Sequence, residues 1–219
     1  MDPQHIAAVL LDMDGTLVDS DAAVERAWTT WAHEHGVDPA DVMAIAHGAP
    51  ADTTVRRLFP DLDDDRVATA AARQLDLQYD DLSDVVALPG ATELLATLDR
   101  TGLPWAVVTS ADARLAAARL GAAGLTAPLL VTVDDVTDGK PHPEPYLTAA
   151  ARLGVAPEHC LVVEDSLTGL TAGRAAGMRT AALRGLDGDL RLTDLTDLAA
   201  VLRNSRGPAA FSPPWSARR

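Results

Sequence analysis

Short apolar runs that alternate with helix-like stretches constrain this chain more than anything else in it. IAAVLL, PWAVVTS, LLVTV, CLVVEDS and MRTAAL each read as a buried strand. GATELLATLDRTG, ADARLAAARLGAAG, PEPYLTAAARLG and LTGLTAGRAAG read as helices, the first stopped by Gly102. Strands and helices in strict alternation mean a parallel sheet with helices on both faces. The expected fold is therefore a doubly wound, Rossmann-like α/β core. One segment breaks the alternation. From Asp19 to about Val85 the chain is acidic, with a helical apolar period and almost no strand signal. Asp38-Pro39 there looks like an N-cap followed by proline at a first helical position. Three or four short helices fit in this insert, which far exceeds the ~30 residues of a whole βαβ unit. The division that follows is a core of residues 1–18 and 86–203, an all-α helical cap of residues 19–85, and a disordered tail of residues 204–219, rich in Pro and Ser.

Ligands in such sheets bind at the carboxyl ends of the strands, and the chemically capable residues collect there. Asp12 and Asp14 follow the first strand, two apart on an extended segment, so their side chains can share a direction. Gly15 permits a sharp turn after them. Two carboxylates this close repel unless a cation or proton separates them, which suits a hard divalent ion with oxygen ligands. A solvated acidic turn would look the same. Glu164 and Asp165 end another buried strand and supply more carboxylate. Ser110 ends PWAVVTS and opens the next helix, as a phosphate seat or as a plain N-cap.

Charge narrows the partners. The 219-residue chain carries a net charge of −14, a field that disfavours nucleic acid and anionic membrane surfaces. A phosphorylated substrate would need local positive charge. Among the 18 basic residues Lys140 is the single lysine, which suggests a place where a compact ammonium cannot be exchanged for a guanidinium. It lies in the turn TDGKPHPEPY, where a solvated loop lysine is the alternative. The lone Cys160 fits a reducing compartment, and the N-terminus shows neither a secretory signal nor a long apolar run. The expectation is a cytoplasmic protein, a monomer or weak dimer, bound to neither membrane nor nucleic acid.

Taken in order, DMDGTLVDSD, VVTS, DGKPHPEPY and VVEDS resemble the four motifs of the haloacid dehalogenase-like phosphohydrolases, over residues 6–185. The insert resembles the helical cap of the subfamily that includes phosphoglycolate phosphatase and β-phosphoglucomutase. PWAVVTS, VDDVTDGKPHPEPYL and IAHG resemble most the glycerol-3-phosphatase and 2-deoxyglucose-6-phosphate phosphatase group. The resemblance implies hydrolysis of a small phosphorylated metabolite, a sugar or polyol phosphate, in two steps. Asp12 would attack phosphorus, and Asp14 would protonate the leaving alcohol and then activate water. Mg²⁺ would be held by Asp12, the Asp14 backbone carbonyl and Asp165, with Glu164 in or near its coordination sphere. Gly15, Thr16, Ser110, Ala111 and Lys140 would hold the phosphate.

In this layout the cap excludes water and sets specificity, through Asp19, Asp21 and His47 as candidates. For the two acids, hinge and N-cap roles are the alternatives; for His47, a helix C-cap. Trp28 and Trp31 share a helix face and are assigned to packing. A sugar phosphomutase and a phosphoglycolate phosphatase are the alternative activities, and an inactive phosphate-binding protein is a third. The mutase pattern expects a cap lysine and a histidine soon after the first motif; this chain has neither there, which favours hydrolysis.

Overall fold

The computed structural model describes residues 6–46 and 49–204. The chain begins with β1 (Ala8–Leu11) and β2 (Val18–Asp19), then passes through α1 (Asp21–His35), α2 (Pro39–Ala46), α3 (Ala51–Leu58) and α4 (Asp64–Leu77). It returns through β3 (Val86–Ala87), α5 (Ala91–Thr101), β4 (Trp105–Val108), α6 (Ala113–Ala122), β5 (Leu130–Val131) and α7 (Glu144–Leu153). It ends with β6 (Cys160–Glu164), α8 (Leu167–Ala175), β7 (Arg179–Ala182), β8 (Leu190–Arg191) and α9 (Leu195–Asn204).

Six strands form one parallel sheet in the order β5-β4-β1-β6-β7-β8. All four residues of β1 and all five of β6 are buried, as a sheet covered on both faces requires. Alternate residues of β1 feed opposite layers. Val9 and Leu11 pack with Leu94, Leu98, Leu115 and Leu198 from α5, α6 and α9. Ala8 and Leu10 pack with Tyr146, Ala149 and Ala172 from α7 and α8. The result is the expected doubly wound α/β core. β1 lies between β4 and β6, so the chain reverses its direction of winding at the tip of β1, where such sheets open a crevice.

The insert has its own apolar centre, in which Trp28, Trp31, Val42, Val55 and Val67 meet. Trp28 and Trp31 pack edge to face with centroids 5.3 Å apart, and Trp31 Nε1 donates to the Ala70 carbonyl at 2.8 Å. Both tryptophans therefore hold the helical cap together. Asp38 Oδ1 accepts from Ala40 N at 2.9 Å at the start of α2. At the neck, Val18 and Asp19 pair antiparallel with Ala87 and Val86.

Some details differ from the expectations. LLVTV is a strand only at Leu130 and Val131, because Thr132 and Asp135 form a capping box that turns the chain into a 3₁₀ helix. α9 and β8 arise from a segment to which no element was assigned, and Asn204 belongs to α9 rather than to the tail. His47 and residues 205–219 lie outside the described residues. Among the described residues no helix is long and apolar enough to cross a membrane.

Candidate active site

Three strand tips converge on one acidic centre. The chain leaving β1 closes a tight loop, with Gly15 N donating to Val18 O at 2.8 Å and Leu17 N and Val18 N donating to Met13 O at 2.8 and 2.9 Å. Asp12 precedes this loop, Asp14 lies within it, and both line the same cleft. Gly15 sits at φ +79°, and a Cβ there would lie 2.0 Å from Asp165 Oδ2. Both the backbone angle and the close approach of Asp165 require glycine.

Asp12, Glu164 and Asp165 are buried together, one carboxylate oxygen of each lying within 4.8 Å of the others. Lys140 reaches into this group. Its Nζ donates to Asp12 Oδ1 at 2.6 Å, to Glu164 Oε1 at 2.7 Å and to the Val108 carbonyl at 2.9 Å. All three ammonium protons are used. Burial, then the charge of Glu164, pushes the Asp12 carboxyl well above its usual range, against the pull of Lys140. Burial and Glu164 likewise push Asp165 up to about 7, against Arg184 and Lys140. Burial alone would depress Lys140, but Asp12 and Glu164 outweigh it and raise it. The lysine therefore stays charged, paired with Asp12 and Glu164, while Asp165 is paired with Arg184 instead. The net negative charge and the all-oxygen donor set fit a hard divalent cation.

Glu164 is the most heavily bonded of the three. Its Oε1 also accepts from Tyr146 Oη at 2.7 Å. Its Oε2 accepts from Asp165 N and Ser166 N, both at 3.2 Å, and from Ser166 Oγ at 2.9 Å.

A model of the haloacid dehalogenase-like hydrolase family matches residues 6–177. The chain belongs to that family. Among curated proteins, hexitol phosphatase A of Escherichia coli is 42% identical over 187 residues, covering 85% of this chain and 87% of its own length. The 2-deoxyglucose-6-phosphate phosphatase 1 of Saccharomyces cerevisiae is 33% identical, covering 90% and 92%. Among solved structures, a hydrolase from Pseudomonas syringae superposes with a TM-score of 0.81 at 26% identity, covering 90% of this chain and 98% of that one.

Within this haloacid dehalogenase-like fold the other candidate residues are placed as follows. Ser110 is exposed and lines the cleft beside Ala111. It does not cap α6: that helix starts at Ala113, and Asp112 caps it by accepting from Leu115 N at 2.7 Å. The N–H of Ala111 donates to Thr109 Oγ1 at 3.1 Å. Gly15 and Thr16 line a separate cavity of about 360 Å³ with Asp19 and Arg184, whereas the main cleft, of about 870 Å³, holds Asp12, Asp14, Ser110, Lys140 and Asp165. Asp21 borders both cavities and is bound by Arg184 through two contacts of 2.9 and 3.0 Å. Asp19 is exposed and accepts from Asp21 N at 3.4 Å.

Several site residues escaped sequence reasoning. Arg119 and Ser20 both donate to Asp14, each at 2.7 Å. Arg184 meets Asp165 at 2.9 Å. Tyr146 holds Glu164 from the opposite layer. None has a local signature, since an arginine in an alanine-rich helix looks alike whether it faces solvent or a carboxylate. The insert closes the cleft from above with Glu25, Trp28, Gln74 and Gln78.

Proposed function

We propose that this hydrolase cleaves a small sugar or polyol phosphate through an aspartyl phosphate on Asp12, with Mg²⁺ as its cofactor. The observation that carries this reading is the buried group of Asp12, Lys140 and Asp165 at the floor of a cleft roofed by the helical cap. It is supported by relatives whose names record hexitol and 2-deoxyglucose-6-phosphate phosphatase activities. In this reading residues 19–85 are the cap and residues 1–18 with 86–203 the core.

One oxygen of Asp12 would attack phosphorus while the other faces the metal, and Lys140, bonded to Oδ1, keeps the carboxylate from turning. As the bond from Asp12 to phosphorus forms, the P–O bond to the alcohol breaks, and Asp14 gives its proton to the leaving oxygen. Asp14 then takes a proton from water, the hydroxide attacks phosphorus, and the Asp12–phosphorus bond breaks to release phosphate. Asp12, Asp165 and the Asp14 carbonyl would hold Mg²⁺, which supplies charge neutralisation for two anions that must approach each other. Glu164, already bonded through both oxygens, orders Lys140 and the Asp165 backbone. Ser110 at the cleft wall offers a hydroxyl to the phosphate.

The cleft also speaks to the rest of the substrate. Among the described residues lining it, the cations are Arg119 and Lys140, each already paired with a carboxylate. A carboxylate tail, as in phosphoglycolate, finds no free cation there. A neutral polyhydroxyl tail suits the amides of Gln74 and Gln78 and the carboxylate of Glu25. The buried Cys160 thiol, pushed up to about 11 by burial, stays unreactive and takes no part in the reaction. The deciding experiment is phosphate release from a panel of hexitol, hexose, glycerol and glycolate phosphates, with Mg²⁺ and with excess chelator. Rapid Mg²⁺-dependent turnover of the polyol and sugar esters supports the reading; activity unchanged by chelator, or confined to phosphoglycolate, refutes it.

A further inference from the structure

Arg119, in the last turn of α6, is a buried cation that the reaction above does not use. It is 2% exposed and lines the main cleft. Its Nη1 donates to Asp14 Oδ2 at 2.7 Å, and its Nη2 donates to Gln78 Oε1 at 2.6 Å. Gln78 is the C-cap of α4, the last helix of the insert, and its Nε2 donates to Gln74 Oε1 at 2.7 Å. Gln74 is 1% exposed, so this chain of side chains is anchored inside the insert. The other oxygen of Asp14, Oδ1, accepts from Ser20 Oγ at 2.7 Å, where the chain enters α1.

Each oxygen of Asp14 is thus held by one donor. Ser20 belongs to the chain entering the insert; Arg119 belongs to the core but is itself bonded to the end of the insert. A guanidinium is a rigid planar fork, so fixing one arm on Gln78 fixes the direction of the other. Asp14 needs such help. Its side chain is 28% exposed, against 11% for Asp12, and it has the freedom to turn toward solvent. A misplacement of about 1 Å in a reacting group can cost roughly a hundredfold in rate. Simple cohesion between core and insert explains this arginine poorly, because its Nε is buried with no partner while both terminal nitrogens are directed at Asp14 and Gln78.

We propose that Arg119 is a positioning residue for Asp14, and that through Gln78 it makes the aim of that carboxyl depend on the docked position of the helical insert. The proposal rests on the reading of Asp14 as the group that protonates the leaving alcohol. A swing of the insert away from the core would take Gln78 with it, release one arm of the guanidinium and let Asp14 drift. Proton delivery would then be competent only over a closed site.

The test compares two esters in single turnovers of the full-length Mg²⁺-loaded enzyme. One is the sugar or polyol phosphate turned over best, whose alkoxide must be protonated; the other is 2,4-dinitrophenyl phosphate, whose phenolate leaves without a proton. Arg119→Met is expected to slow the first by about a hundredfold and the second by less than about fivefold, the size of effect that a mis-aimed general acid produces. Arg119→Lys should recover part of the loss. Gln78→Leu, at a half-buried site, should give a smaller loss of the same selectivity and add nothing on top of Arg119→Met, since both act through one chain of contacts. If Arg119→Met does not fold, Arg119→Lys and Gln78→Leu carry the comparison alone. An equal loss on both esters, additive effects of the two variants, or a raised KM with an unchanged single-turnover rate would overturn the proposal. Asp14→Asn is the control for the reading beneath it. If Asp14→Asn spares the sugar phosphate, that reading falls; if it shows the selective loss and the Arg119 and Gln78 variants do not, the Arg119 proposal alone falls.

Discussion

Replacing Lys140 by Met should turn the buried acidic group from an asset into a liability, by a calculable amount. The methionine keeps the length and the apolar stem but removes the ammonium that Asp12 and Glu164 hold at 2.6 and 2.7 Å. Removing one partner of a buried ion pair costs about 3–5 kcal/mol. Counting bonds gives a similar figure: two hydrogen bonds to charged groups at roughly 1.5–3 kcal/mol each come to about 3–6 kcal/mol. For a chain of this size that is a fall of about 6–20 °C in Tm, at roughly 2–4 °C per kcal/mol. The loss must also depend on pH. Asp12 and Asp165 have carboxyls raised above their ordinary values, Asp165 to about 7. A raised carboxyl destabilises the fold above its folded value, and the penalty fades as pH falls toward the ordinary carboxylate value and the group takes a proton. Without Lys140 the acids rely on protons even more, so the variant should lie closer to wild type at pH 5.5 than at pH 8. Urea unfolding in chelator at both pH values measures this. A loss below about 1 kcal/mol at pH 8, or one equally large at pH 5.5, would show that the ammonium does not hold this group of acids together.

Asp12→Asn should abolish phosphate release while raising the stability of the metal-free protein at pH 8, since it removes one of three buried acids; a pure variant with near wild-type turnover refutes the nucleophile assignment. Mg²⁺ should raise Tm more at pH 8 than at pH 5.5, because at the lower pH it must displace protons from Asp12 and Asp165, a difference of about 2 kcal/mol from Asp165 alone, whose carboxyl is raised to about 7 and so lies about 1.5 pH units above pH 5.5; equal shifts by scanning calorimetry would contradict it. Gly169→Ala places a Cβ 1.6 Å from Glu164 Oε1, and because Glu164 is clamped through both oxygens the cost should exceed about 3 kcal/mol, read by urea unfolding, with a loss below about 1 kcal/mol as the contrary result. Inorganic phosphate should inhibit in Mg²⁺ and bind at least about tenfold more weakly in chelator by calorimetry, since Lys140 and Arg119 are both already paired; equal affinity would mean that one of them leaves its carboxylate.

What the sequence disclosed follows from the range over which each signal acts. Strand ends are local: a buried apolar run followed by acids names both the strand and the residues at its tip, so Asp12, Asp14, Glu164 and Asp165 could be placed before any coordinates. Lys140 was found differently, by being the lone lysine, and its burial among three carboxylates matches that scarcity. Arg119 could not be found in this way. Its partners Asp14 and Gln78 are 105 and 41 residues distant, and the link exists only once the insert is folded over the core. Ser110 shows the limit of local rules from the other side. A Ser before a helical pattern reads as its cap, yet Asp112 two residues later captures Leu115 N and leaves Ser110 at the cleft wall. LLVTV likewise lost its last residues to a competing hydrogen-bonded turn, which Thr132 and Asp135 complete.

The electrostatics of the cleft divide labour in a way that the motifs alone do not suggest. Lys140 looks from sequence like a hand extended to the phosphate, but its three protons are already given to Asp12, Glu164 and Val108. Its first effect is therefore on the protein: it holds the Asp12 and Glu164 carboxylates in place. Arg119 is spent in the same manner on Asp14. Among the described residues, a chain of net charge −14 thus sets its two cleft-lining cations against its own acids, and in the proposed mechanism the charge of an incoming phosphate is left to a divalent ion and to donors at the cleft wall. Such a site gains little from binding a phosphate dianion tightly before the reaction begins. In the proposed mechanism its positive charge is arranged around the two carboxylates that would react, where it serves the transition state rather than the ground state.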